Sequence, residues 1–352
     1  MESYLTLILF GGFLTLLILG APITVSLAGA SMAAYMLLDK NPIALVQIAF
    51  TSVGNFPLMA LPAFVLAGAL MEAAGISKRL VDIAESLAGP VTGGLGAATV
   101  MACLFFGAIS GSGPATTAAV GMLMVPAMVK RDYDKSYASA VTAASGGLGI
   151  IIPPSIPLVI FGISAMGLMA PPEAIAQHGQ FASLSIPKLF VAGVVPGFIM
   201  ASTLVVTNYF IAKREGYKGL TENWSFSEVR HSLRRGIWSI LAPFLILGGI
   251  YSGMFTPTES AVVAIFYSLF VGVFIHRELS FKSTIKSLST TTWITGRVLL
   301  ILFAATVFGR LLIEQKIPVV VAESLLGFTD NMYMVWALTI VLLLFVGMFM
   351  ET

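Results

Sequence analysis

The sequence predicts an all-α polytopic membrane protein, built from inverted repeats with a re-entrant hairpin and broken helices. Three observations carry that prediction. Of 352 residues, 57% are hydrophobic and only 10% are charged. The apolar residues gather in runs of about 20, the length that crosses a bilayer. Two of those runs are interrupted midway by glycine, serine and proline. A soluble domain carries about 25% charged residues, so this chain has too little polar surface to cover a globule, whereas apolar surface against lipid costs nothing. The net charge of +2 gives no reason to expect a nucleic-acid partner. The single cysteine, Cys103, lies in an apolar run with no disulfide or metal partner and reads as core filler.

Taken in order, Met1-Glu2-Ser3-Tyr4 lack the positive flank of a cleavable signal, so the first apolar run reads as a permanent span. Spans are expected at 5–20, 22–38, 56–74, 136–152, 155–169, 189–212, 237–252, 258–275, 291–313 and 332–350. Segments 76–87 and 316–326 mix charges with apolar residues at helical spacing, the pattern of interfacial helices connecting spans. Orientation follows from four basic clusters: Lys130-Arg131 with Lys135, Lys213-Arg214 with Lys218, Arg230 with Arg234-Arg235, and His276-Arg277 with Lys282 and Lys286. Loops rich in Lys and Arg stay in the cytoplasm. With Lys130 inside, 136–169 counts as one interrupted span ending outside at the loop 170–188. The chain then returns through 189–212, and the hairpin 237–275 lands on the last cluster. All four clusters share one side, and the N-terminus is periplasmic.

An internal repeat relates residues 64–89 to 302–327 at an offset of 238. It pairs Lys78 with Lys316 and the run Ala84-Glu85-Ser86-Leu87 with Ala322-Glu323-Ser324-Leu325. Ala21-Pro22 has a counterpart near Thr256-Pro257. One copy starts outside and the other inside, and inverted repeats with interrupted helices mark secondary transporters. The expected organisation is a first repeat at 1–212 (scaffold spans, hairpin 93–129, broken helix 136–169), a cytoplasmic linker at 213–235, and a second repeat at 236–352. The offset sets Pro114 opposite Thr352, so the second repeat reads as incomplete and its own site residues are expected beyond this sequence.

Two motifs carry the chemistry. Ser110-Gly111-Ser112-Gly113-Pro114, with Thr116 following, interrupts 93–129, since two glycines and a proline forbid continuous helix. Irregular backbone at membrane depth is tolerated only within protein or beside a water-filled cavity. The economical reading is a hairpin whose tip offers hydroxyls and free carbonyls, hard donors for a small alkali cation, and a helix N-terminus that favours an anion. The competing reading is a helical turn packed through small residues. Ser145-Gly146, Gly149 and Pro153-Pro154-Ser155 form the second motif. Tandem prolines cannot continue a helix, so a broken span frees carbonyls before Pro153 and N–H groups after it; the alternative is a plain loop between two short spans. A small alkali cation is expected on Ser110, Ser112 and Ser145. Thr256-Pro257-Thr258-Glu259 is a helix start in its simpler reading, a site contribution from Glu259 being the weaker one. Arg297 and Arg310 lie within a span, where charge is costly and often functional. Either could meet a substrate carboxylate or snorkel to the interface. Glu72, opposite Arg310 in the repeat, is a candidate partner for it.

Residues 111–162, GSGPATTAAVGMLMVPAMVKRDYDKSYASAVTAASGGLGIIIPPSIPLVIFG, and 255–261, FTPTESA, closely resemble the large membrane subunit, the DctM-type permease, of tripartite ATP-independent periplasmic (TRAP) transporters, including the sialic acid type. The resemblance covers the whole chain. It implies import of an organic acid, such as a C4-dicarboxylate or a sialic acid, by sodium symport at the bacterial inner membrane. It implies as partners a small four-helix membrane subunit and a periplasmic substrate-binding protein, and an elevator mechanism in which a transport domain slides against a scaffold. The tip 110–114 and the break 145–155 are then the first-repeat ion-site elements. Two other readings remain: a membrane-embedded serine hydrolase, which needs a base near Ser110 or Ser112 although His178, His231 and His276 all fall in expected loops, and a passive channel, which needs rings or lining charges.

Overall fold

The structure is a computed structural model that describes residues 2–54, 56–165, 176, 184–219, 225–329 and 331–349. Among them every regular element is helical, as a chain of this apolar composition requires. The helices are α1 (Glu2–Ile18), α2 (Ile23–Leu37), α3 (Ile43–Val53), α4 (Ala60–Ala73), α5 (Ile76–Ala88), α6 (Gly94–Ser110), α7 (Gly113–Val129), α8 (Lys135–Gly146), α9 (Leu148–Ile151), α10 (Ile156–Ala165), α11 (Ile186–Glu215), α12 (Phe226–Tyr251), α13 (Pro257–Phe270), α14 (Phe281–Glu314), α15 (Ile317–Phe328) and α16 (Met332–Phe349). Five stretches are long and apolar enough to cross a membrane: Lys135–Ala165, Ile186–Glu215, Phe226–Tyr251, Pro257–Ile275 and Phe281–Glu314. The pair α4–α5, bent by 68°, makes a sixth if it is counted as one stretch. The run 135–165 is long and apolar enough for one crossing with the α8–α9–α10 breaks included. By contrast α6 and α7 have 17 residues each, about 26 Å of helix against about 30 Å of hydrocarbon.

Contacts divide the chain into two units. One comprises Met1–Asn55 and Gly296–Thr352. Its core joins Leu5 and Leu9 of α1, Leu27, Ala30, Ala34 and Tyr35 of α2, Leu45 and Ala49 of α3, and Ala304, Val307, Phe308 and Leu311 of α14. Phe308 meets Phe10 edge-on at 5.8 Å. The α3 helix is an addition to the expected elements; its run of 11 residues is too short for a span-length window.

The other unit, Phe56–Thr295, holds two core clusters. In the first, α5, α6, α7, α8 and α11 interlock; α6 and α7 pack against each other and both against α8. Fourteen of the 17 α6 residues are buried, many of them glycine or alanine, and small side chains let neighbouring backbones approach closely. The second cluster joins α4, α10, α11, α12 and α13. The charged segment expected as linker is largely helical. The α11 helix continues to Glu215 with Lys213 and Arg214 in its last turn, where cations complement the dipole. His231 therefore lies on α12 rather than in a loop; His178 is outside the described residues.

Local geometry recurs along the chain. A helix, a left-handed glycine and a proline-led helix start appear at Gly20 (φ 83°) with Pro22 and again at Gly253 (φ 73°) with Pro257. A left-handed residue followed by a helix of 12 or 13 residues appears at Gly75 (φ 72°) before α5 and at Lys316 (φ 55°) before α15. Helices α6 and α16 begin 238 residues apart, the offset of the sequence repeat.

Candidate functional site

The hairpin tip is two residues long. Helix α6 ends at Ser110, Gly111 takes a left-handed conformation (φ 62°) with its N–H on Gly107 O at 3.1 Å, and Ser112 is extended. Ser112 then caps α7, its Oγ accepting from Ala115 N at 3.4 Å. Pro114 sits in the first turn of α7, where a missing N–H costs nothing. The helical run therefore lapses at 111–112 alone, and each peptide group there finds a partner: Ser112 N donates to Ser110 Oγ at 3.4 Å and Ser112 O accepts from Thr116 N at 3.0 Å.

Three oxygens converge there. Thr116 Oγ1 donates to Ser112 O at 2.7 Å and lies 2.9 Å from Ser110 Oγ. Ser110 and Thr116 are buried. A carbonyl and two hydroxyls within hydrogen-bond distance of one another, with no charged group among them, form a neutral hard-oxygen nest. Unwound carbonyls with hydroxyls are the donors by which interrupted transporter helices hold sodium.

The break in the following span faces this tip. Gly111 O accepts from Ile156 N at 3.1 Å, across the Pro153-Pro154 interruption. A Cβ at Gly111 would run into Pro154 O at 2.5 Å. Ser155 Oγ donates to Ile150 O at 2.5 Å and accepts from Leu158 N at 3.3 Å, closing one side of the break and starting α10. The two glycines expected as part of the cradle form its floor: a Cβ at Gly149 would meet Thr116 Oγ1 and Ser112 O, and one at Gly146 would meet Thr117 Oγ1. Gly113 lies over Gly146 O and Ile150. Ser145 is buried, and its hydroxyl donates to Val141 O of its own helix at 2.6 Å.

The remaining expected residues lie elsewhere. Arg310 Nε is 3.3 Å from Glu314, which also binds Lys40 at 2.6 Å. Its partner is thus one turn away on α14 rather than Glu72, because an i,i+4 acid reaches it without crossing the fold. Arg297 is exposed at the middle of α14 rather than near an end, since that helix begins ten residues before the apolar run. Thr256 and Glu259 form a complete capping box, so the simpler reading of that motif holds.

Three residues with no signal in the sequence support the hairpin, one at its tip and two at its base. Gly68 of α4 approaches Ser110 Cα to within 3.3 Å of its would-be Cβ. Asn208, buried on α11, donates to Gly93 O at 3.0 Å and accepts from Tyr137 OH. One amide thus joins the base of α6 to α8 and α11. Tyr137 continues into a stack with Tyr133 and Tyr217, whose rings are 4.1 Å apart.

Apolar helices, with a hairpin tip hydrogen-bonded to the break in a neighbouring apolar stretch, define a multi-pass membrane protein, all-α among the described residues, with a buried polar nest. The chain belongs to the family described as tripartite ATP-independent periplasmic transporter, DctM component, whose model matches residues 10–352. It is 39% identical over 345 residues to the isethionate TRAP transporter permease protein DctMQ of Oleidesulfovibrio alaskensis, covering 98% of this chain and 52% of that one. It is 37% identical over 300 residues to the sialic acid TRAP transporter permease protein SiaT of Haemophilus influenzae, covering 85% and 46%. It is 35% identical over 303 residues to the C4-dicarboxylate TRAP transporter large permease protein DctM of Rhodobacter capsulatus, covering 86% and 68%. The chain spans about half the length of the first two. All three are named as permeases, which are transporter components and not enzymes.

Proposed function

We propose that the chain is the substrate-translocating subunit of a secondary transporter that imports an organic acid by sodium symport. In this reading it lies in the bacterial inner membrane with its N-terminus in the periplasm, beside a small four-helix membrane subunit, and receives substrate from a periplasmic binding protein. Family membership supports the transporter class. The observation that carries the ion-coupled reading is the convergence of Ser112 O, Thr116 Oγ1 and Ser110 Oγ beneath a two-residue gap between helices. Sodium supplies a positive charge there when bound. The chain holds the three oxygens in place through Gly149, which leaves Thr116 room, and through the Gly111–Ile156 bond, which fixes the tip to the break. The first turn of α7 presents its positive end beside them, so an anion and a cation gain from one another's presence, which is the physical basis of symport. Because hairpin and break share a hydrogen bond and a glycine floor, they move as one body in an elevator step.

The related permeases are named for isethionate, sialic acid and C4-dicarboxylates. These share an anionic group and little else, so the proposed substrate is an organic acid; the acid retained by the partner binding protein identifies it. The test is uptake in proteoliposomes with the complete permease and binding protein. Thr116→Val and Ser110→Ala, each removing one oxygen, are expected to raise the half-saturating sodium concentration about tenfold, the equivalent of about 1.4 kcal/mol. An unchanged sodium dependence in both removes this nest from the ion site. Uptake that fails to saturate favours a channel instead.

A further inference from the structure

Helix α12 changes character along its length. Residues 226–235 include Glu228, Arg230, His231, Arg234 and Arg235, whereas 236–251 carry no charged residue. Its two sides differ as well. Gly236, Ser239, Ala242 and Ile246 are buried, and Gly236 meets Ile83 of α5. On that same side Glu228, His231 and Arg235 line an open cleft beside α5. The opposite side is unfilled. Arg230, Arg234, Ile237, Leu241 and Leu245 follow one another at steps of three and four and are all exposed, so they form one stripe along the helix. A Cβ at Gly248, next in that stripe, would meet nothing within 4 Å.

The charges decide what fits. Two guanidinium groups one turn apart stand at the polar end of the stripe. Among the described residues neither has an ion pair within 4 Å. Glu228, the acid of α12, turns to the cleft instead, so the stripe is cationic only. A zwitterionic headgroup would bring its own cation to a face with no acid to receive it, whereas a headgroup of net negative charge brings none. Depth decides the source. Arg234 precedes Ile237 by about 4.5 Å of helix, which sets its guanidinium where charged helix gives way to apolar helix, the level of lipid phosphates. Trp238, exposed one turn after Arg234, marks the same level, since tryptophan gathers at membrane interfaces. From Leu241 to Gly248 the stripe runs about 10 Å deeper. A soluble anion would use the arginines and leave the rest idle; a phospholipid uses the whole stripe.

We propose that this face of α12 binds an anionic phospholipid, with its phosphate held between Arg230 and Arg234 and an acyl chain lying along Leu241 and Leu245 to Gly248. The guanidinium fork matches two phosphate oxygens at once, so arginine serves here better than lysine.

The test uses the complete permease, delipidated in detergent, with native mass spectrometry and thermal unfolding as readouts. Neither needs substrate or sodium, so the lipid site stands or falls apart from the transport function. Phosphatidylglycerol is expected to be retained about tenfold better than phosphatidylcholine and to raise the unfolding midpoint. R230Q/R234Q should lose that preference, and R230K/R234K should keep part of it. Both arginines are exposed, so these variants should fold as the parent does. R235Q removes an arginine of the same depth on the cleft side and should leave retention unchanged. A loss in R235Q as large as in R230Q/R234Q marks diffuse surface charge and overturns the site. Equal retention of the two lipids, as when another subunit covers the stripe, or undiminished preference in R230Q/R234Q overturns it as well. Glycerol phosphate that stabilises as strongly as phosphatidylglycerol overturns the lipid source, placing a soluble anion there.

Discussion

A single methyl group is too large for position 149. In Gly149→Ala it would press on Thr116 Oγ1 and Ser112 O, and overpacking of a tight core costs about 1–3 kcal/mol. The expected outcome is a lower unfolding midpoint and loss of sodium-dependent uptake together, measured by thermal unfolding and proteoliposome flux. Asn208→Leu removes the acceptor of Tyr137 OH and one of two donors to Gly93 O, which keeps Ala97 N. Unsatisfied buried polar groups cost about 1–3 kcal/mol each, so the unfolding midpoint should fall, while a Tyr137→Phe/Asn208→Leu pair should lose less than the sum of the single changes. The serines and glycines of the tip were legible because glycine, serine and proline crowd into an apolar run. Asn208 was not, since a lone amide in a span acquires meaning only from partners 71 and 115 residues away. Gly146 and Gly149 stood out by density, but their use as a floor under two threonines depends on packing that spacing does not express.

Among the elements, the elbow between α4 and α5 is pinned by a short segment after α13. His276 donates from Nδ1 to Ala74 O at 2.8 Å, and its Nε2 is buried without a partner. Burial holds the His276 pKa below the usual histidine value; Arg79 lowers it further, while the Ala74 carbonyl and Glu278 raise it. The folded state thus resists a proton that the unfolded chain accepts below about pH 6.5. Stability is level above that pH and falls on acidification until the folded imidazole itself titrates. Unfolding midpoints in detergent should drop between pH 7.5 and 5.5, and His276→Gln should flatten that slope. The helix ends were only partly legible. Hydropathy placed the span of α14 at 291–313, but the helix starts at Phe281, where Ser280 and Ser283 cap one another at 2.9 and 3.1 Å. The apolar count misses a turn that hydroxyls nucleate in water.

For the whole molecule, orientation is the open test. With the basic clusters facing the cytoplasm, Asp132→Cys should react with a membrane-impermeant maleimide only in inside-out vesicles, and Gly253→Cys only in right-side-out ones. The reverse pattern inverts the topology. Native Cys103 is fully buried and should stay unlabelled in both until the protein is denatured. The fold class was legible because lipid demands a composition that water would not tolerate. The division into 1–55 with 296–352 and 56–295 was not, because it depends on which helices touch, and the apolar patterns of all the spans look alike.

The elbows at Gly75 and Lys316 share a left-handed twist in different surroundings. At Gly75 a Cβ would displace the ends of the Glu278 and Arg79 side chains; at Lys316 the same backbone twist is exposed, and a lysine bears it. Left-handed geometry costs a non-glycine residue about 1–2 kcal/mol, a strain the second elbow carries and the first is spared. Swapping the residues should therefore be lopsided: Lys316→Gly relieves the second elbow and should raise the unfolding midpoint, whereas Gly75→Lys strains the first, displaces Glu278 and Arg79 and should lower it.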